Sequence, residues 1–212
     1  MSSAPSCFAV FDQAIAEHVS VVRALEADVD LLERIAREMT RAIGNGKKVL
    51  WCGNGGSAAD SQHLAAELMG RFRRERRALA SIALTTDTSI LTAIGNDYGF
   101  DKVFQRQVEA LCVEGDVVVG ISTSGNSTNV CAALETARRM GGFTVAMTGQ
   151  GACRIGEIAD ATVRIASKDT ARIQEGHILC GHMLCDFIEL SVCGTEMADK
   201  REFVSEAFGA NR

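Results

Sequence analysis

The 212-residue sequence has a single proline and no low-complexity stretch, so nothing in it marks a linker. A chain of this length with 47% hydrophobic residues is read as one domain, residues 1–212. It also lacks a basic surplus: 22 Lys and Arg stand against 27 Asp and Glu, a net charge of -5 and a pI of about 5.4. A general nucleic-acid binder needs the opposite balance to displace counterions, so no nucleic-acid partner is expected. The one basic run, RFRRERR at residues 71–77, reads as a solvated helix end or a subunit contact. The eight cysteines include no CxxC pair, which removes a cysteine-based zinc or redox motif and fits buried free thiols in a reducing cytosol. No uncharged run of about 18 apolar residues occurs, so no membrane partner is expected. The opening MSSAPSCFAVFDQ has no basic n-region and reaches Asp12 before any long apolar stretch, unlike a signal peptide. A soluble, cytoplasmic protein is expected.

What is present is a change of period. Apolar residues recur at helical spacing over about residues 8–27 (Phe8, Phe11, Ile15, Val19, Val22) and 28–43 (Leu31, Leu32, Ile35, Met39, Ile43), and Gly44-Asn45-Gly46 ends the second stretch as a helix stop. Two helices with so little of their own to bury must pack on the domain or against another subunit. After Gly46, short apolar strands at 48–52, 81–84, 117–121, 144–147 and 162–165 alternate with helical segments, which predicts a parallel sheet with helices on both faces. The last helix is expected over about 170–196, with the tail after Asp199 too polar to assign.

Two of these strands end alike. CGNGGSAAD follows the first and STSGNSTNV the third, and both open a helix. Ligands of parallel α/β sheets collect beyond the carboxyl ends of the strands, and helix N-termini offer unpaired N–H groups to anions, so the pair suggests one phosphate pocket. A capped turn with Ser127 as N-cap and nothing bound is the plain alternative. The first turn also matches GxGxxA through Gly53, Gly55 and Ala58, but a dinucleotide fingerprint wants an acidic residue roughly 20 positions on, and Asp87 lies well beyond that. The serine-rich partner turn fits a sugar phosphate better.

His63 and Glu67 stack one turn apart on the helix that the first turn opens, either as an exposed pair or as groups facing a ligand. In TARIQEGHILCGHMLCD, the polar Gln174, Glu175, His177 and His182 interrupt an apolar helix. Spacing alone leaves the choice among them open: Glu175 and His182 align at i, i+7, while Gln174 sits about 80° around the helix from His182. Imidazole, carboxylate and amide oxygen together suit a divalent metal such as zinc, and core histidines are the alternative.

Taken together, GNGGSAADSQHLAAELMGRF, GNDYGFDKVFQRQVEAL, GDVVVGISTSGNSTNV and TARIQEGHILCGHMLCDFIE resemble the bacterial phosphoheptose isomerases of the sugar-isomerase (SIS) domain superfamily, in order over about residues 46–189. The resemblance implies an α/β SIS domain, a five-stranded parallel sheet in a flavodoxin-like three-layer sandwich, with the N-terminal helical pair serving subunit packing in a homotetramer. It implies interconversion of sedoheptulose 7-phosphate and D-glycero-D-manno-heptose 7-phosphate through an enediol, for lipopolysaccharide or other heptose-containing glycoconjugates. By that resemblance Asn54, Gly55, Gly56, Ser57, Glu67, Asn96, Asp97, Ser122, Thr123, Ser124, Ser127 and Gln174 line the substrate site. One zinc ion per subunit falls to His63, Glu67, Gln174 and His182, which selects Gln174 over Glu175. Glu67 is assigned as base and His182 as acid. A carboxylate on a metal is a poorer base, so the two roles of Glu67 compete.

Two other classes are weighed. Some SIS-domain relatives bind the bacterial replication initiator without turning over sugar; here GNGGS, Glu67 and His182 are all present, which favours catalysis. A sugar-phosphate-sensing regulator would carry a DNA-binding segment, and the acidic helices within 8–43 lack recognition-helix character.

Overall fold

The computed structural model describes the backbone of residues 7–208 and the side chains of residues 7–194. The first six residues of the segment read above as unlike a signal peptide lie outside the described residues. The chain begins with α1 (Cys7–Ala24), a short 3-10 turn (Leu25–Asp28) and α2 (Val29–Gly44). It then alternates: β1 (Val49–Gly53), α3 (Gly56–Met69), β2 (Ser81–Ala83), α4 (Thr88–Tyr98), α5 (Val103–Leu111), β3 (Val117–Ser122), α6 (Thr128–Arg139), β4 (Phe143–Thr148), α7 (Arg154–Ile158), β5 (Ala161–Arg164) and α8 (Thr170–Phe208).

The five strands form one parallel sheet in the order β2-β1-β3-β4-β5, the flavodoxin-like arrangement. Alternation along each strand builds two cores. Trp51, Val117, Val119, Ile121 and Met147 point to the face covered by α2, α3 and α8, where Ile35, Met39, Leu64, Leu68 and Leu184 meet them. Leu50, Cys52, Val118 and Ala146 point to the other face, against Phe104, Val108, Val130, Leu134 and Ile155 of α5, α6 and α7. This is the expected three-layer sandwich. The buried indole of Trp51 donates to Ser81 Oγ at 2.9 Å, so even the polar atom of the largest core side chain is satisfied.

The strand ends shift by a residue from their expected positions for identifiable reasons. Lys48 is outside β1 because Asp116 takes its backbone N–H (3.0 Å) and its Nζ (2.6 Å), while Gly53 stays in the ladder opposite Ile121. The first expected helix ends at Ala24 rather than 27, where the 3-10 turn begins. The last runs on to Phe208, past 196, because the tail is polar but made of helix-forming Glu, Lys, Arg, Met and Ala with no proline to stop it. Its segment 170–194 is the one helix among the described residues long and apolar enough to cross a membrane, yet it lies packed on α1, α2 and α3.

The two N-terminal helices part company. The apolar stripe of α2 is buried, whereas Phe8 (82% exposed), Phe11, Ile15 and Val19 of α1 face outward. All eight thiols are free; six are buried as expected, but Cys7, at the start of the exposed helix, faces solvent and Cys193 is half-buried.

Candidate active site

Strand order reverses between β1 and β3, and the two glycine-rich turns lie at their carboxyl ends, on either side of that switch point. At the first, Gly53 admits no side chain, since a Cβ there would sit 2.7 Å from the Ser57 carbonyl oxygen. Gly55 holds φ at +57°, which a glycine tolerates best. At the second, the Ser122 hydroxyl lies 2.9 Å from that of Ser127 and accepts the Gly125 N–H at 3.2 Å, while Ser124 Oγ accepts the Asn126 N–H at 3.3 Å. Thr123 fixes the neighbouring loop through its carbonyl, which accepts the Gly149 N–H at 3.1 Å. Ser127 occupies the N-cap position of α6 without capping it, its hydroxyl being turned to Ser122. The turns are tied together by Asn54 and the buried Asn129, whose amides exchange two hydrogen bonds of 2.9 Å. Nothing in the sequence reading singled out Asn129; its place two residues into the STSGNSTNV helix was the available signal.

Further along α3, His63 Nε2 lies 3.3 Å from Glu67 Oε1 and 2.9 Å from His182 Nε2 on α8. The three ligand atoms all fall within 4.8 Å of one another. Burial, helped by repulsion from His63, holds the His182 imidazole below its usual pKa, with Glu67 opposing. That shift favours the neutral imidazole, with one N–H and one lone pair. Two imidazoles and a carboxylate converging from two helices form a donor set that zinc accepts. Asp60, one turn before His63, was missed by the sequence reading. Its carboxyl is pushed up to about 6 by burial, with His63 opposing, and its Oδ2 is buried without a hydrogen-bond partner.

Gln174 lies over the first turn: its Nε2 is 2.2 Å and its Oε1 2.9 Å from where a Cβ on Gly56 would be. It is eight residues from His182, about 12 Å along α8, and so stands apart from the His63, Glu67, His182 group within one chain. Glu175 faces α1, 2.8 Å from His18 Nδ1 and 2.6 Å from Arg172 Nη2. Asn96 and Asp97 stand exposed on α4 and bond to each other at 2.8 Å. His177 is fully buried and held at a pKa of about 4 by burial, the Thr148 backbone opposing, so it is a neutral core residue.

The basic run is no helix end. Residues 71–77 follow α3 as irregular chain, with Arg73 and Arg74 paired to Asp186 at 3.0 and 2.6 Å and Arg76 buried against Glu189 at 3.1 Å. Phe72 from the same segment stacks on His182, the ring centroids 5.3 Å apart and the planes 16° from parallel. A basic composition hid these apolar and buried roles.

Residues 11–149 match the family model described as the SIS domain. Curated relatives named phosphoheptose isomerase include that of Aliarcobacter butzleri, 51% identical over 181 residues, 85% of this chain and 96% of its own length. That of Aquifex aeolicus is 57% identical over 159 residues, 75% of this chain and 83% of its own. Among solved structures, the phosphoheptose isomerase GmhA from Neisseria gonorrhoeae superposes with a TM-score of 0.82 at 45% identity, covering 87% of this chain and 99% of that one.

Proposed function

The chain belongs to the SIS-domain family and, within it, to the phosphoheptose isomerases, and from that membership we propose how its residues carry the reaction. It is an aldose–ketose isomerase that interconverts sedoheptulose 7-phosphate and D-glycero-D-manno-heptose 7-phosphate. The replication-initiator reading is not favoured, since relatives covering most of the chain carry the isomerase name.

One observation supports the assignment of residues most directly. Turns of phosphate-binding type open α3 and α6, and about 10 Å along α3, from Gly56 to His63, a carboxylate and an imidazole of that helix meet a second imidazole from α8. In the reading proposed here, Asn54, Gly55, Gly56 and Ser57 with Ser122, Thr123, Ser124, Ser127 and Gln174 receive the sugar phosphate, and Asn96 and Asp97 contact the sugar. Glu67 removes a proton from C1 of the ketose while His182 gives one to the C2 oxygen, forming the enediol. Return of the carbon proton to C2 and loss of the O1 proton yield the aldose, so each group ends as it began.

We assign one zinc ion to His63, Glu67 and His182, where it would polarise the sugar oxygens; because ligation weakens Glu67 as a base, ligand and base are alternative states of that carboxylate. A fourth ligand from Gln174 would come from a second copy, given its distance along α8 within one chain. That fits a homotetramer in which the exposed face of α1 packs on another subunit. The proposal further takes residues 1–212 as one cytoplasmic SIS domain, without nucleic-acid or membrane partners, serving heptose supply for lipopolysaccharide or another glycoconjugate.

Glu67→Gln tests the chemistry. Loss of a positioned acid–base group lowers kcat by about 10²–10⁴-fold with the fold retained. A variant of native stability that still turned over at the wild-type rate would refute the role of Glu67.

A further inference from the structure

The segment between α3 and β2 is organised by one side chain of α8. Glu189 is fully buried; its Oε1 accepts the backbone N–H of Phe72 at 2.8 Å, and its Oε2 those of Arg73 and Arg74 at 2.8 and 2.9 Å. Arg76 Nε lies 3.1 Å from Oε1, and both side chains are wholly shielded from solvent. Burial raises the Glu189 pKa, but the three N–H groups and Arg76 outweigh it, and the carboxyl stays below its usual value.

Each arm of this arrangement ends on a residue of the acid–base pair. Arg76 donates from Nη2 to the Glu67 carbonyl at 2.8 Å and from Nη1 to those of Gly70 and Arg77 at 3.0 and 2.9 Å. The Glu67 carbonyl is in the last turn of α3, where helices leave acceptors without intrahelical partners. On the other side, the three N–H bonds fix the chain at Phe72, whose ring covers one face of the His182 imidazole. That ring leaves the imidazole edge turned to His63. A buried ion pair is often no more stabilising than apolar residues of similar volume, so stability alone does not account for placing one here.

We propose that Glu189, with Arg76, is a positioning residue for the isomerisation: through Arg76 on the Glu67 carbonyl and Phe72 on the His182 ring, it holds the two reacting groups of α3 and α8 at a fixed spacing. The inference rests on the acid–base assignment of Glu67 and His182. It predicts a loss confined to kcat, because the phosphate turns stand at the far end of α3 and do not touch this segment.

The test compares Phe72→Leu, Glu189→Gln and Asp186→Asn with the wild-type enzyme, reading kcat, KM for sedoheptulose 7-phosphate and the thermal midpoint. Phe72→Leu is expected to lower kcat by about tenfold to a hundredfold, the scale of a 1 Å misplacement, with KM within about twofold and the midpoint little changed. Glu189→Gln is expected to do the same at a lower midpoint, because it leaves Arg76 buried without its counter-charge. Asp186→Asn loses only partly exposed pairings to Arg73 and Arg74 and is expected to keep both constants. If Glu189→Gln does not fold, Phe72→Leu decides the matter. A folded Phe72→Leu with wild-type kcat, or one whose kcat falls only in proportion to its folded fraction, overturns the inference. Glu67→Gln measured alongside separates the two levels: if it is inactive and Phe72→Leu is normal, only the positioning role fails. If Glu67→Gln is fully active, the acid–base reading fails and takes the inference with it.

Discussion

Replacing Gly56 by alanine separates what the first turn does for the fold from what it does for the substrate. Gly56 is the first residue of α3 and its φ is not positive, so alanine carries no backbone strain there. Helix propensity would favour the substitution by up to about 1 kcal/mol. The added Cβ would lie 2.2 Å from Gln174 Nε2 and 2.8 Å from its Cδ, so the amide must swing off the turn. The amide ends a flexible side chain, and a shift to a poorer rotamer costs about 0.5–1.5 kcal/mol. The two effects nearly cancel, leaving stability within about 1 kcal/mol, or about 2–4 °C in Tm for a chain of this size. Activity does not cancel. A hydrogen bond from the amide to a charged substrate contributes about 1.5–3 kcal/mol, so its loss should lower kcat/KM by about 10- to 150-fold. Steady-state kinetics with a thermal melt on the same preparation provide the measurement. A cycle with Gln174→Ala sharpens it, because the double variant should lose little more than Gln174→Ala alone. Wild-type kcat/KM in a stable Gly56→Ala, or strictly additive losses, would refute a shared role of Gln174 and the turn.

Two further perturbations act on the fold around the site. In Gly125→Ala, a residue with φ of +68° gains a Cβ 2.4 Å from Cys153 Sγ and 2.6 Å from Thr148 Oγ1. Left-handed strain of about 1–2 kcal/mol and overpacking of about 1–3 kcal/mol should together shift the urea midpoint clearly downward, and an unmoved midpoint would contradict this packing. For His177, the folded pKa of about 4 lies below the ordinary 6.5, so the unfolded chain takes up its proton first. Its contribution is complete above pH 6.5 and is lost as the pH falls toward 4, by roughly 2 kcal/mol between pH 7 and 4.5. Urea unfolding of wild type and His177→Leu at both pH values should show the steeper acid loss in wild type, and equal losses would rule out His177 as its source.

The sheet and its faces were legible because period and burial agree. Val117 to Ile121 are apolar at every position, the mark of a strand covered on both sides, and that is how β3 lies. The polar turns after β1 and β3 were visible for the same reason, as sudden breaks in that pattern. Pairing across the sequence was not: Asn54 with Asn129 and Phe72 with His182 join positions 75 and 110 residues apart, and no local spacing announces them. Residues 71–77 show the same limit. Five arginines in seven residues suggested a solvated helix end or a subunit contact, but Glu189, more than a hundred residues away, supplies the buried charge that draws Arg76 inside. The apolar stripe of α1 left packing on the domain and packing against another subunit both open, because such a stripe carries no record of what covers it; only the family resemblance pointed to a subunit contact.

The central claim is tested most directly by incubating the purified protein with sedoheptulose 7-phosphate, with and without a metal chelator, and identifying the product. The account predicts formation of D-glycero-D-manno-heptose 7-phosphate, with the rate reduced by the chelator and restored by zinc. Folded protein that leaves sedoheptulose 7-phosphate unchanged in zinc-supplemented buffer would contradict it.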